Sequence, residues 1–242
     1  MMDAIAAPAR IGIIGLGSMG RPMGRNLVRC GYTVSGYDIS AAALAAAADD
    51  GIAEATGPSA MAEQCDVVLI MVWDDQALRS TVFGPGGLLE GNRIRGCAID
   101  LSTTSVTVAH EVGQAIVARG GVFLDGAVIG GGVAAVRAGK SPIVLAGDRA
   151  AYERCLPVFA ALGTCDYVGD RPFTRHDHAV QPKAGSPASE RGQRPHHAPG
   201  TSASFPPRGV RPGEHGRGVP RVLEGEGAAV RPAARICRCF LP

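Results

Sequence analysis

The 242-residue chain has little of what several functional classes require. Aromatic residues make up only 5% of it, so platforms for stacking nucleic-acid bases are scarce. No run of about 18 apolar residues occurs, which argues against a membrane-spanning helix. The formal net charge of +2 gives no overall attraction to nucleic acid. We therefore expect neither a membrane nor a nucleic acid as a partner.

Cysteine usage and the first residues favour a cytoplasmic protein. The seven cysteines include none of the C-x-x-C pairs typical of zinc sites, so we expect no metal and reduced thiols. The first ten residues include an acid and lead directly into an apolar run, which is unlike a secretory signal.

Sequence periodicity stops near residue 169. Residues 170–242 hold 11 of the 17 prolines, 11 of the 22 arginines and five of the six histidines. A proline about every seven residues would repeatedly break helices, and little periodic apolar surface remains to offset the entropy of ordering. We expect residues 1–169 to form a folded domain and residues 170–242 to be a disordered Arg/Pro/Gly-rich tail.

The motif around which the domain is organised is a glycine-rich turn. An apolar run, Ile11–Ile14, predicts a short buried strand, and the residues after the turn have helical spacing. Gly15, Gly17 and Gly20 form G-x-G-x-x-G between them, which is typical of dinucleotide binding in this strand-to-helix context. Such a turn brings backbone N–H groups and a helix N-terminus to a pyrophosphate.

An acid follows the second predicted strand at the distance expected for ribose recognition. Asp38 lies 23 residues after Gly15. A carboxylate there accepts hydrogen bonds from the ribose hydroxyls and repels a 2′-phosphate, so it favours NAD over NADP. Alternatively, Asp38 caps the next helix, a role that Ser40 could fill instead.

Strand and helix patterns alternate throughout residues 10–169, which predicts an α/β fold with a Rossmann-type, doubly wound parallel sheet. The buried run 66–73 should end at the ligand-binding edge of that sheet. Of the four hydroxyl residues 102–105, we expect three to be candidates for a ligand and one to be a helix N-cap. The glycine cluster 130–132 either approaches a small ligand or forms a flexible turn.

Three motifs resemble the β-hydroxyacid dehydrogenases, the family of 3-hydroxyisobutyrate dehydrogenase, which is related to 6-phosphogluconate dehydrogenase. The first is Gly15-Leu16-Gly17-Ser18-Met19-Gly20 with Met23-Gly24-x-Asn26-Leu27. The second is Asp100-Leu101-Ser102-Thr103-Thr104-Ser105, and the third is Asp125–Gly131 followed by Ala135-x-x-Ala138-Gly139. The likeness covers roughly residues 9–169.

The resemblance implies an NAD(P)-dependent oxidoreductase that transfers hydride between a nicotinamide and a 3-hydroxy acid or semialdehyde, in a homodimer. The residues that it assigns to the cofactor are Gly15, Leu16, Gly17, Ser18, Met19, Gly20, Asp38, Val72, Trp73 and Thr103. Those that it assigns to the substrate carboxylate are Ser102, Gly130 and Gly131. Proton transfer in the family belongs to a lysine in a G-x-G-x-x-x-K-x-x-N-N motif.

The chain departs from this pattern in two places. Ile129 stands where the family's substrate loop carries a serine, which favours a less polar substrate and leaves open descent from imine-reducing relatives. The lysine motif should begin near Gly169 but is missing, since the only later lysine is Lys183 and the chain's two asparagines are Asn26 and Asn92. No catalytic residue is therefore identifiable, and we do not expect residues 170–242 to form the family's helical second domain.

Three hypotheses follow. The chain is a catalytically impaired dehydrogenase by descent, or a non-catalytic NAD(P)-binding module. Alternatively, the arginines of residues 170–242 bind a phosphate backbone, although a solvated, disordered tail is the favoured explanation for them. The composition of that tail also resembles a GC-rich coding region translated out of frame.

Overall fold

A computed structural model describes residues 3–170 of the chain. The predicted disorder and the out-of-frame hypothesis were made for residues 170–242. All of these residues except Asp170 lie outside the described part of the chain. No helix between residues 3 and 170 is long and apolar enough to cross a membrane.

Strands and helices alternate along the described chain. The strands are β1 (Arg10–Ile14), β2 (Thr33–Tyr37), β3 (Ala53–Glu54), β4 (Val67–Ile70), β5 (Cys97–Asp100), β6 (Val122–Val128), β7 (Ser141–Gly147) and β8 (Gly163–Gly169). The helices are α1 (Gly20–Arg29), α2 (Ala41–Ala48), α3 (Pro58–Gln64), α4 (Asp75–Phe83), α5 (Val106–Ala118), α6 (Gly132–Arg137) and α7 (Arg149–Ala160).

The eight strands form one sheet in the order β3-β2-β1-β4-β5-β6-β7-β8. Strands β1 to β6 are all parallel, as expected from the alternating pattern. The chain runs outward from β1 to β3 and then crosses back to β4 on the other side of β1. The adjacent β1 and β4 thus form a topological switch point, where open α/β sheets bind ligands. The Rossmann-type fold is confirmed.

One strand departs from the fully parallel sheet. β7 runs antiparallel to β6, while β8 is again parallel to β7. Only residues 129–140 join β6 to β7, and they contain the six-residue helix α6. An antiparallel neighbour needs no crossover to the opposite edge, and here the chain turns back beside β6 through α6. The 12-residue helix α7 allows the parallel return from β7 to β8.

Helices cover both faces of the central strands. Residues of β1 and β4 alternate between two apolar clusters, because successive side chains point to opposite faces. One cluster includes side chains from α1, α2, α6 and α7, and the other includes side chains from α3, α4 and α5. The four residues of β4 are all buried, which explains their continuous apolar run.

Two short elements have no clear sequence signal. β3 pairs only Ala53 and Glu54 with β2, too few residues to show alternation. In α6, Val136 alone is buried, so the helix lacks an apolar stripe. Elsewhere the predicted elements are present, although β4 ends at Ile70 rather than continuing to Trp73.

Candidate dinucleotide-binding site

A cavity of about 920 Å³ opens at the carboxyl ends of the central strands. Its wall includes the last residues of β1 and β2 and the residues that follow β4 and β5, together with Val128 at the end of β6. Ten of the thirteen residues assigned from the sequence line it: Gly15, Gly17, Ser18, Met19, Gly20, Asp38, Val72, Trp73, Ser102 and Thr103. The switch point of the sheet and the glycine turn therefore coincide.

Each glycine of the turn has a different environment. Gly15 has φ +91°, and a Cβ there would lie 2.1 Å from the carbonyl oxygen of Met71. A Cβ on Gly20 would lie 1.9 Å from the carbonyl oxygen of Gly15. A Cβ on Gly17, in contrast, would meet no atom within 4 Å. Gly15 and Gly20 are required by the fold itself, whereas Gly17 leaves open space on the cavity side.

Asp38 holds the glycine turn against the end of β2. Its Oδ2 accepts a 2.7 Å hydrogen bond from the backbone N–H of Leu16, and its Oδ1 accepts one of 2.8 Å from that of Ser40. The cap of α2 is Ser40, whose hydroxyl accepts from the backbone N–H of Ala43. Asp38 does not cap α2, so its half-buried carboxylate faces the cavity while anchored by two backbone donors.

The four hydroxyl residues after β5 have distinct positions. Ser102 is buried, and its hydroxyl accepts a 2.9 Å hydrogen bond from the backbone N–H of Val72. Thr104 donates to the buried carboxylate of Asp100 at 3.2 Å. Ser105 is the N-cap of α5. Thr103 is exposed in the cavity wall, so of the four it is the residue whose side chain is most accessible to a ligand.

Two large apolar side chains stand in the cavity wall almost fully exposed. Trp73 is 87% exposed and Ile39 is 95% exposed. Exposed side chains of this size are informative when they border a cavity, because they offer apolar surface to a planar ligand. Ile39 was not predicted as a site residue. The signal available in the sequence is its position directly after Asp38.

Three predicted residues do not line the cavity. Leu16 directs its side chain into the core, where it is 2% exposed, and its N–H is bound to Asp38. Gly130 and Gly131 lie beyond Val128, and Gly131 is the left-handed N-cap of α6. Their assignment to a substrate carboxylate stays a prediction.

Helices α3 and α4 supply the part of the wall that the sequence motifs did not indicate. Pro58 begins α3, and Ser80 and Thr81 lie near the end of α4. These residues belong to no motif and reach the cavity only through packing on the sheet.

A carboxylate at the start of α4 links this wall to α5. Asp75 accepts hydrogen bonds of 2.7 Å from both the backbone N–H and the hydroxyl of Ser105. The hydrogen bonds from Ser105, assisted by the positive charge of Arg79, lower the pKa of Asp75 below its usual value. The strand-end loops on this side of the cavity are thereby fixed together. Between residues 3 and 170 no group of acidic, histidine or cysteine side chains could hold a metal ion.

Comparison with known proteins agrees with this geometry. Residues 10–169 match the family model described as the NAD-binding domain of 6-phosphogluconate dehydrogenase. The cytokine-like nuclear factor N-PAC of Pongo abelii is 36% identical over 162 residues, which are 66% of this chain and 29% of that protein. The chain therefore spans less than a third of the length of that relative.

Solved structures of dehydrogenases and reductases share the fold of this chain. The 3-hydroxyisobutyrate dehydrogenase of Mycobacterium tuberculosis, solved with L-serine, superposes with a TM-score of 0.61 at 33% identity, over 67% of this chain and 55% of that one. An imine reductase of Streptomyces aurantiacus shares the fold, with a TM-score of 0.59 at 24% identity over 67% of this chain and 56% of its own. Because a family model matches most of the chain, it belongs to the family of nicotinamide-cofactor-binding domains found in 6-phosphogluconate and 3-hydroxyisobutyrate dehydrogenases.

Proposed function

We propose that this chain binds NAD in the cavity at the β1–β4 switch point. The pyrophosphate would lie over Gly17, where the backbone is open, and against the N-terminus of α1. The adenosine ribose would lie beside Asp38, and the nicotinamide would extend toward Thr103 and the end of β6. NADH supplies a hydride when bound, and the residues of the cavity hold and orient it.

The observation that carries the preference for NAD is the anchored carboxylate of Asp38. Each of its oxygens accepts one backbone N–H, which keeps the carboxylate at the cavity wall and leaves further lone pairs for ribose hydroxyls. A 2′-phosphate at this position would meet a fixed negative charge. Ile39, the next residue, offers no positive charge to compensate it.

We further propose that the reaction of this lineage is hydride transfer between the nicotinamide and a 3-hydroxy acid or its semialdehyde, and that this chain performs it poorly. The family's proton-transfer lysine is not identifiable in the sequence. Among residues 3–170 there is one lysine, Lys140, and it does not line the cavity. Loss of a general acid–base group alone reduces rates by about 10²–10⁴.

The same lysine observation favours a second candidate function, a cofactor-binding module without catalysis. Such a module would bind NADH through the glycine turn and Asp38 and would turn over no hydroxy acid. The two candidates share the cofactor site and differ in a measurable rate.

A cofactor titration of the full chain tests the proposal. Trp73 is the single tryptophan and stands in the cavity wall, so energy transfer from it to bound NADH reports binding directly. We expect saturable NADH binding and NADPH binding about tenfold or more weaker. Asp38→Asn should narrow that difference, because it removes the charge that repels the 2′-phosphate. Asp49→Asn, at an exposed position beyond α2, is the matched control and should change neither affinity.

Activity with NAD and 3-hydroxyisobutyrate separates the two candidates. A slow, protein-dependent formation of NADH indicates an impaired dehydrogenase, and no turnover with intact binding indicates a module. A chain that binds neither cofactor at millimolar concentration would refute both, and equal affinities for NADH and NADPH would refute the role given to Asp38.

A further inference from the structure

The motif Met23-Gly24-x-Asn26-Leu27 contains one polar residue that the cofactor site does not use. Asn26 lies in α1 and has no exposed surface. Its Nδ2 donates a 2.7 Å hydrogen bond to the backbone carbonyl of Val136, 110 residues further along the chain. This bond joins α1, whose N-terminus forms the glycine turn, to α6, which follows the Gly130–Gly131 loop.

Helix α6 has little else to hold it in place. It is six residues long, too short to be stable alone, and its N-cap Gly131 provides no side-chain hydrogen bond. Val136 is its single buried side chain. The Val136 contact and the hydrogen bond from Asn26 therefore fix the position of α6. The loop before α6 is held in addition at its start, where the N–H of Ile129 donates to the carbonyl of Pro142 at 2.9 Å.

The amide of Asn26 is costly for stability. Its Oδ1 is buried and has no hydrogen-bond partner among residues 3–170, which carries a desolvation penalty. The carbonyl of Val136 also accepts from the N–H of Gly139 at 3.1 Å, so it would keep one donor without Asn26. An apolar side chain of similar size at position 26 would satisfy the needs of packing. The amide is better explained by the orientation that its N–H group imposes on α6.

We propose that Asn26 is a positioning residue that ties the Gly130–Gly131 loop to the dinucleotide-binding helix α1 through its hydrogen bond to Val136. The loop begins directly after Val128, which lines the cavity at the end of β6. A cofactor held at the N-terminus of α1 then steadies the loop that follows Val128. The coupling to the cofactor rests on the proposed function, whereas the tie between the two helices does not.

Amide hydrogen exchange of the full chain, resolved by peptide, tests the tie without any ligand. In Asn26→Leu we expect exchange within residues 132–140 to accelerate about tenfold, the value of one modest hydrogen bond. Exchange in β1, β4 and α1 should remain within twofold. Asn92→Leu makes the same change at the chain's other asparagine, which is exposed, and should alter neither region. Unchanged exchange in residues 132–140, or equal acceleration throughout the domain, would overturn the proposal.

Repeating the measurement with NADH tests the coupling. In the unaltered chain NADH should slow exchange in residues 15–29 and also in residues 132–140. In Asn26→Leu it should slow exchange in residues 15–29 only. Slowing of both segments in the variant would overturn the coupling. If NADH slows neither segment in the unaltered chain, the proposed cofactor function is wrong, and the ligand-free comparison still decides the tie.

Discussion

At the scale of single residues, the three glycines of the G-x-G-x-x-G motif have different structural roles. A side chain at Gly15 or Gly20 would collide with backbone atoms, so these positions are required for the strand-to-helix turn to close. Gly17 faces open space and tolerates a methyl group as far as the fold is concerned. The motif predicts a separate role for each glycine, but the atoms that a side chain at Gly15 would meet belong to Met71, far away in sequence.

This difference predicts opposite outcomes for two single substitutions. Gly17→Ala should change the free energy of unfolding by no more than about 0.5 kcal/mol, yet weaken NADH binding about tenfold, because the methyl group occupies the space of the pyrophosphate. Gly20→Ala should lower the free energy of unfolding by about 2–4 kcal/mol through backbone collision. Urea denaturation and NADH titration measure the two effects. A Gly17→Ala chain that binds NADH normally would contradict the placement of the pyrophosphate.

Contacts between elements decide how the strand-end loops are held. Asp75, the first residue of α4, accepts two hydrogen bonds from Ser105, the N-cap of α5. Neither residue belongs to a periodic pattern that links the two helices, and 30 residues separate them. The sequence predicted both helices, but their attachment at the cavity depends on how they pack on the sheet.

The pair predicts a pH-dependent contribution to stability. The pKa of Asp75 is lowered in the folded chain, so its stabilising effect is present above the unfolded pKa and is lost as the pH falls through the folded value. The melting temperature of Asp75→Asn should therefore lie below that of the unaltered chain at pH 7, and the gap should shrink toward about pH 3. Asp49→Asn provides the control. A gap that stays constant over this range would show that the charge of Asp75 does not contribute.

On the scale of the whole domain, the sheet buries cysteines from distant segments. Cys65, Cys97 and Cys155 are buried, whereas Cys30 and Cys165 are partly buried. Burial raises the pKa of the Cys65 thiol, and it raises that of Cys165 to about 12. Proximity to Cys155, together with burial, raises the pKa of Cys97. The thiolate form, which reacts, is thus suppressed in the folded state.

Thiol labelling should consequently report global unfolding. At pH 8 we expect Cys65, Cys97 and Cys155 to react with an alkylating reagent at least about 100-fold more slowly than a free thiol, and to become reactive together as urea unfolds the domain. Mass spectrometry of the labelled peptides assigns each site. Rapid labelling of Cys97 in the folded chain would contradict the arrangement of β5 against α7.

What the sequence alone determined is local or periodic. Alternating apolar runs and helical spacing predicted the α/β order, and G-x-G-x-x-G together with Asp38 predicted a dinucleotide site at a strand edge. The α/β order is confirmed, because burial on both faces requires a continuous apolar strand. The glycine turn lies at the strand edge because neighbours in sequence fix the backbone of a turn, and the role of Asp38 stays a prediction.

Only the tertiary structure decided the remainder. It placed β7 antiparallel to β6, a reversal that the alternating strand and helix pattern did not indicate. It distributed four adjacent hydroxyls among a buried backbone contact, the cavity wall, a carboxylate and a helix cap. It also joined Asn26 to Val136. The contact of Ser102 with Val72 and the bond of Asn26 to Val136 join residues that are 30 and 110 positions apart. Their approach is set by the packing of the helices on the sheet and leaves no trace in local periodicity.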